Sequence, residues 1–307
     1  MTATAAPSRH GVPRSRNPLG TLKKIFMPVS PAYLLMIVPV IVLFTFFIVY
    51  PAIDGMFYSF TNYVGFGSWK FIGLTNYTAA LGDPNIRHSY IFTLYFAFTT
   101  TIVVNLLALF IAIGLNSRIR WRGGFRTVYF IPMVVSGLVV SYVFAYLFNT
   151  SIPGIVGFGP LHSGILTSGT WAWLGVVFVT TWQSLPGATI IFLAGLSTID
   201  GDVYEAAELD GADGRRSLRW MTLPLLAPFV IINTVLSLKG FLGAYDIIIG
   251  LTDGGPGTAT QSISLTIING LGTGDYAYQL ANSMMFFILT IVLSVAQLAF
   301  LSRTNRK

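Results

Sequence analysis

The stretch IDGDVYEAAELDGADGRRSLRWMTLPLLAP, residues 199–228, is the longest polar segment in the otherwise apolar second half of the chain. Asp202 is followed three residues later by Glu205, and this spacing has the form of a capping box that begins a helix. Gly211 stands where a helix would end on a residue with positive φ, a conformation that glycine adopts at low cost. The pattern therefore predicts a short helix that begins near Asp202 and ends at Gly211.

A second short helix follows directly. Asp213 is placed to cap it, and Pro224 is expected to end or redirect it. In the first helix, Ala206 and Ala207 carry small side chains that would let another protein approach the backbone closely. The stretch is predicted to be a helix–turn–helix that serves as a docking element.

Composition places the chain in a membrane. Hydrophobic residues make up 54% of its 307 positions, charged residues only 9%, and the mean hydropathy is +0.71. Soluble domains contain about 25% charged residues, so the bilayer is the expected solvent. The chain has no cysteine, which excludes disulfides and thiol chemistry. No pair of its three histidines has metal-ligand spacing, and no metal site is predicted.

Apolar runs long enough to cross a bilayer recur along the chain. They lie near 33–52, 89–115, 125–148, 171–195, 224–245 and 280–301. The sequence predicts an all-α, polytopic membrane protein with six transmembrane helices over residues 31–302, between a tail (1–30) and a short C-terminus (303–307). The Gly- and Pro-rich connections Pro153–Gly169 and Thr252–Gly257 are not expected to form regular helices.

Positive charges set the orientation, because cytoplasmic connections are rich in Lys and Arg. Five lie in the tail, four in 116–126, three in the central polar loop and three at the C-terminus, fifteen in total. The opposite side has Lys70 and Arg87, and Lys239 lies inside a span. Both termini and the central loop are predicted to be cytoplasmic, in a multi-pass inner-membrane protein. The net charge of +7 is then explained by topology and anionic membrane lipid, and no nucleic-acid partner is predicted.

The central loop carries a family resemblance. Glu205-Ala206-Ala207, Asp210-Gly211-Ala212, Leu223-Pro224 and Pro228 resemble the cytoplasmic EAA loop of bacterial ABC importer permeases, which here occupies about 199–223. The resemblance implies a coupling helix that sits in a cleft of an ATPase subunit, with Glu205, Ala206, Ala207, Asp210, Gly211 and Ala212 as the coupling residues. Leu218 departs from the pattern, since sugar permeases often carry an aromatic there.

Other short motifs resemble those of the sugar-type permeases in particular. The resemblance covers about residues 31–302. The motifs are Tyr50-Pro51, Ser59-Phe60-Thr61-Asn62, Phe71-Ile72-Gly73-Leu74-Thr75-Asn76-Tyr77, Ile131-Pro132 and Leu251-Thr252-Asp253-Gly254-Gly255-Pro256. These motifs are typical of the first of the two different permease subunits that such importers usually contain. The resemblance implies a second homologous permease in a heterodimer, two ATPase subunits and an extracytoplasmic substrate-binding protein.

The chain does not carry its own energy source. None of its five lysines follows a GxxxxGK[ST] phosphate loop. ATP and Mg would be used by the partner ATPase, and no cofactor is expected on this chain. No catalytic constellation is evident in the spans, so an intramembrane enzyme is disfavoured.

Uncharged polar residues in the spans are candidates for a substrate path. Pro186, in Trp182-Gln183-Ser184-Leu185-Pro186-Gly187, is expected to break its helix and free backbone groups for a cavity. By position, the resemblance implies sugar contacts at Thr181, Trp182, Gln183, Ser184, Ser237, Phe241 and Tyr245. Lys239 has three readings: it snorkels to an interface, bonds carbonyls near Gly240 and Gly243, or reaches Asp246.

The predicted function is the permease subunit of an ATP-driven importer for a sugar or oligosaccharide. One alternative is an ABC importer for another small polar solute. The other is a membrane channel or scaffold that needs no ATP.

Overall fold

The computed structural model describes residues 31–117, 122–156, 159 and 162–304, and the regular structure in that part of the chain is helical. An isolated antiparallel bridge joins Thr61 and Phe71. The chain divides into two compact units, Met1–Asp54 and Gly55–Lys307. The predicted tail, 1–30, and the last three residues, 305–307, lie outside the described residues. The predicted all-α fold class is confirmed.

The helices are numbered here in chain order. They are α1 (Pro31–Phe44), α2 (Tyr50–Tyr58), α3 (Thr75–Gly82), α4 (Pro84–Asn116), α5 (Arg122–Val134), α6 (Gly137–Tyr146), α7 (Ile152–Ile155), α8 (Ala172–Ser197), α9 (Gly201–Leu209), α10 (Gly214–Ser217), α11 (Leu223–Leu225), α12 (Ala227–Leu242), α13 (Asp246–Leu251), α14 (Ile263–Thr273) and α15 (Tyr276–Thr304). Short π-helical segments join α1 to α2, α6 to α7 and α10 to α11; they are Thr45–Val49, Leu147–Ser151 and Leu218–Thr222.

Several of these helices are long and apolar enough to cross a membrane. Within the described residues there are five such stretches, Leu35–Tyr58, Pro84–Asn116, Gly137–Ile155, Ala172–Ser197 and Tyr276–Phe300. The pair Gly214–Leu225 and Ala227–Leu242 also qualifies as one span with a bend of 62°, which brings the number to six. The predicted six-span arrangement agrees with this count.

The third predicted span, 125–148, is wrong in its bounds. α5 ends at Val134, and Ser136 leaves the helical region with φ −57° and ψ 137°. The span that starts at Gly137 then continues to Ile155. Adjacent Ser and Gly residues are a recognised cause of sharp helix breaks, which accounts for the interruption.

The two predicted irregular connections have different outcomes. Pro153 lies in the helix α7, so the first irregular connection begins later than predicted. Thr252–Gly257 contains no regular helix, as predicted, and the Thr252 and Thr260 hydroxyls hydrogen-bond across it at 2.7 Å. The flanking helices α13 and α14 were not predicted.

The main core lies between α4 and α8, which form the most extensive helix pair. Phe96 and Val104 of α4, and Val176 and Phe192 of α8, are almost completely buried in one cluster. Lipid tails are as apolar as these side chains, so the helices associate mainly through close packing.

Pro186 does not break α8, which runs without interruption from Ala172 to Ser197. The predicted break is therefore wrong. Proline removes one backbone N–H, so the Trp182 carbonyl lacks its usual helical donor. Transmembrane helices tolerate this loss because neighbouring groups can satisfy the freed carbonyl.

The bend before α12 packs closely against α8 at Gly195. Leu226, at the bend, is fully buried. A Cβ atom on Gly195 would lie 2.6 Å from the Phe229 ring and 2.8 Å from Leu226 Cδ2. The absence of a side chain at Gly195 therefore permits the contact between α8 and the bend.

We expect Gly195→Ala to lower the thermal stability of the chain purified in detergent. Its methyl group would overpack the contact, at a cost of about 1–3 kcal/mol. Gly187→Ala is the matched control, since Gly187 lies in the same helix and a Cβ there meets no atom within 4 Å. Equal melting temperatures for the two variants, measured by intrinsic fluorescence, would contradict this packing.

Candidate functional site

Asp200 begins the first helix of the central loop. Its backbone is extended, and its carboxylate accepts a hydrogen bond from the Asp202 backbone N–H at 3.3 Å. The prediction that Asp202 caps this helix is wrong, because Asp202 already lies in the first turn of α9. A carboxylate there still interacts favourably with the positive end of the helix.

Gly211 ends α9 in the way the sequence predicted. Its φ is +79°. The Gly211 N–H donates to the Glu208 carbonyl at 3.0 Å, and the Ala212 N–H donates to the Ala207 carbonyl at 2.9 Å. These two bonds form a Schellman motif, which satisfies carbonyls that the helix end would leave unpaired.

The second helix of the loop is fixed at its start by Asp213, whose carboxylate accepts from the Arg216 N–H at 2.8 Å. This predicted cap is confirmed. Pro224 itself lies within α11, and the chain is redirected two residues later, where a 62° bend separates Leu225 from Ala227.

A side-chain hydrogen bond ties the two halves of the loop together. The Tyr204 hydroxyl of α9 lies 3.1 Å from the hydroxyl of Thr222, at the end of the π-helical segment before α11. The loop is therefore held by two caps, a Schellman motif and this cross-link, and we call residues 200–222 the capped loop.

The predicted coupling residues do not share one environment. Glu205, Ala206, Asp210 and Gly211 are exposed, Ala212 is half-buried, and Ala207 is buried. Ala207 thus packs against its own chain, and Ala206 is the accessible member of the alanine pair. Sequence reasoning missed Leu209 and Trp220, which are 89% and 71% exposed. Large apolar residues within a polar segment were the signal that could have identified them.

A polar cavity of about 520 Å³ lies where α8, α12 and α13 meet. Its lining residues are Gly137, Thr180, Gln183, Ser184, Gly240, Phe241, Gly243, Ala244, Tyr245, Asp246 and Ile247. Four predicted substrate-path residues are among them: Gln183, Ser184, Phe241 and Tyr245. We refer to this space as the polar cavity.

The other three predicted path residues lie elsewhere. Thr181 and Trp182 line a separate, predominantly apolar cavity of about 620 Å³, together with residues such as Val103 and Phe148. The Trp182 ring packs edge-on against Phe144, with ring centroids 5.2 Å apart. Ser237 is half-buried and lines neither cavity.

Gln183 has a structural partner at the wall of the polar cavity. Its Nε2 donates to the Val135 carbonyl at 2.9 Å, where the chain breaks between α5 and α6. A Cβ on Gly137 would lie 3.3 Å from Gln183 Oε1 and 3.6 Å from Asp246 Cβ. Gln183, the helix break and the start of α13 therefore meet at one point.

Lys239 is exposed, and it does not line the polar cavity. In the described part of the chain it forms no ion pair with Asp246. The reading that placed both residues on one helix face fails because α12 ends at Leu242, before Asp246 begins α13.

We expect Gln183→Leu to lower the thermal stability of the chain and Thr181→Val not to lower it. Gln183→Leu removes a donor to a carbonyl at a helix break, at about 0.5–1.5 kcal/mol. Thr181 Oγ1 is buried without a hydrogen-bond partner among the described residues, so an isosteric valine should leave stability unchanged or raise it. Thermal unfolding of the purified chain in detergent measures both. A stability loss in Thr181→Val equal to that in Gln183→Leu would contradict the assignment.

Comparisons with known proteins agree with the architecture. The family described as binding-protein-dependent transport system inner membrane component matches residues 104–306. A solved structure of a bacterial alginate ABC transporter, in complex with an alginate pentasaccharide-bound periplasmic protein, contains a chain that matches with a TM-score of 0.76 at 19% identity. The match covers 94% of this chain and 99% of that one, and it supports the fold.

Three named permeases are similar in sequence to most of the chain. The multiple sugar-binding transport system permease protein MsmF of Streptococcus mutans is 34% identical over 268 residues, covering 86% of this chain and 92% of MsmF. The trehalose/maltose transport system permease protein MalF of Thermococcus litoralis is 34% identical over 271 residues, with coverages of 86% and 91%. The sn-glycerol-3-phosphate transport system permease protein UgpA of Agrobacterium fabrum is 30% identical over 279 residues, with coverages of 88% and 94%.

The resemblance drawn from the central loop is thereby confirmed. Its residues, 199–228, lie inside the matched range. The chain belongs to the family of binding-protein-dependent transport system inner membrane components.

Proposed function

We propose that this chain is a permease subunit of an ATP-driven importer and forms the translocation path for a sugar or oligosaccharide. The observation that carries the proposal is the capped loop, which joins two apolar helices and presents an exposed surface. Relatives named for multiple sugars and for trehalose and maltose support the substrate class.

In this proposal the capped loop docks on a separate ATPase subunit. Glu205, Ala206, Asp210 and Gly211 supply accessible contact surface, and Leu209 adds an exposed apolar side chain. The caps on α9 and α10 fix the backbone of the loop, which would carry a displacement to the helices it joins. ATP and Mg are bound by the partner ATPase, and this chain performs no hydrolysis.

The charge distribution supports a cytoplasmic position for the capped loop and both termini. Fifteen of the eighteen lysines and arginines fall in connections assigned to one side, and such connections face the cytoplasm by the positive-inside rule. The same orientation puts α13, α14 and the connection between them on the extracytoplasmic side. There a substrate-binding protein would deliver its ligand.

The proposed complex contains a second, homologous permease in a heterodimer, two ATPase subunits and the substrate-binding protein. The related alginate transporter was solved with its periplasmic protein bound. That finding supports a binding-protein partner of the same kind for this chain.

The polar cavity is the proposed substrate path. Sugars offer hydroxyls for hydrogen bonds and C–H faces for contact with aromatic rings. Gln183 and Ser184 supply the polar groups, and Phe241 and Tyr245 supply the rings. Thr181 and Trp182, which line the apolar cavity, would affect this path only indirectly.

We expect Gly211→Val to uncouple ATP hydrolysis from uptake while the chain remains in the membrane. At φ +79° a β-branched residue costs about 1–3 kcal/mol, which would distort the end of α9. The measurement compares uptake and ATPase activity of the assembled importer.

Two control variants isolate the backbone effect. Gly211→Asn should retain most uptake, because asparagine tolerates the left-handed conformation. Gly214→Ala should also transport normally, since a Cβ there meets no atom within 4 Å. Wild-type uptake and normal ATPase association in Gly211→Val would rule out the capped loop as the coupling element.

A further inference from the structure

Asp246 is the charged residue of the polar cavity. Among the lining residues it alone carries an ionisable acidic or basic side chain. It is exposed at the start of α13, beside Tyr245 and close to Gly137.

The Asp246 carboxylate has no structural partner in the described part of the chain. It accepts no hydrogen bond there and forms no ion pair. α13 has no side-chain cap at its start, where Tyr245 occupies the N-cap position. By contrast, the carboxylates of Asp83, Asp200 and Asp213 each accept a hydrogen bond from a backbone N–H at a helix start.

An unpaired carboxylate in a polar cavity discriminates between ligands by charge. Ionised carboxylates only accept hydrogen bonds, and they do so strongly from hydroxyl donors. They also repel an anionic group brought close to them. Among the residues that the structure describes, no lysine or arginine lines this cavity to offset that repulsion.

We propose that Asp246 makes the translocation path selective for neutral sugars over anionic ones, such as uronates and sugar phosphates. This inference rests on the proposed function, and it goes further by naming the charge class of the substrate. The relatives leave that class open, since they include permeases named for maltose and for sn-glycerol-3-phosphate. In this arrangement the Asp246 carboxylate accepts from sugar hydroxyls, while Phe241 and Tyr245 contact the C–H faces.

The test measures ligand binding to the permease without its binding protein, whose own selectivity would mask the effect. The importer, assembled from both permeases and the ATPases in nanodiscs, is titrated with maltose, with trehalose and with the uronate analogue of each. Saturation-transfer difference NMR detects weak binding of each probe. We expect wild type to bind a neutral disaccharide about tenfold better than its uronate analogue.

Asp246→Asn and Asp246→Ser should reduce that preference by about tenfold, and Asp246→Glu should keep it. Asp253→Asn is the matched control, because Asp253 lies outside the cavity and asparagine tolerates its φ of 48°. A purely structural role for Asp246 would weaken both members of a probe pair equally and leave their ratio unchanged.

Two results would overturn the account, and they are distinguishable. If the uncharged variants keep the neutral-to-uronate ratio within about twofold of wild type, Asp246 does not select by charge. If the wild-type importer binds neither neutral disaccharide, the proposed sugar function fails. The wild-type titration alone gives this result, so it is separate from the comparison of the Asp246 variants.

Discussion

Backbone hydrogen bonding in lipid is the constraint on which the rest of this structure depends. The bilayer core has no water to satisfy a free N–H or C=O, so spanning segments must be helical, and each interruption needs a partner from elsewhere. At the break before α6, Gln183 supplies such a partner by donating to the Val135 carbonyl. Beyond the spans, Ser262 donates to the Ala244 carbonyl, and the Thr93 hydroxyl accepts from the Ile263 N–H at the start of α14.

The same helices connect the capped loop to the polar cavity. α8 passes the cavity and ends just before the loop, and α12 leaves the loop through the bend at Leu226 and ends at the cavity. Asn233 of α12, almost completely buried, donates to the Ala188 carbonyl of α8 at 3.3 Å. Gly195 adds a close contact between α8 and the bend. A displacement of the loop would therefore reach the cavity through two packed helices.

Local features were predictable from the sequence. Long apolar runs gave the spans, and the backbone requirement at Gly211 and the cap at Asp213 follow from a few neighbouring residues. The cap at Asp200 was not predicted because Asp200 and Asp202 are both plausible N-caps, and the spacing of Asp202 to Glu205 favoured the second. α13 and α14 were missed because both are short and their ends depend on partners distant in sequence, such as Thr93.

The composition of the cavity was only partly predictable for a related reason. Thr181 to Ser184 are consecutive in a helix and point in different directions, so neighbouring helices decide which of them face the cavity. Position alone grouped Thr181 and Trp182 with Gln183, whereas packing assigns the two pairs, Thr181–Trp182 and Gln183–Ser184, to different cavities. The position of Asp246 beside Gln183 and Tyr245 could not be read from the sequence, because the packing of α8 against the start of α13 brings these residues together.

The most direct test of the central claim is site-specific cross-linking from the capped loop to the ATPase. The chain has no cysteine, so Ala206→Cys provides a unique attachment point on the exposed side of α9, and Thr258→Cys, at an exposed position in the connection after α13, provides an external control. The account predicts that residue 206 cross-links to the ATPase subunit and resists an impermeant maleimide added outside intact cells, whereas residue 258 shows the reverse. Labelling of residue 206 from outside, or cross-linking of the ATPase to residue 258 instead, would contradict it.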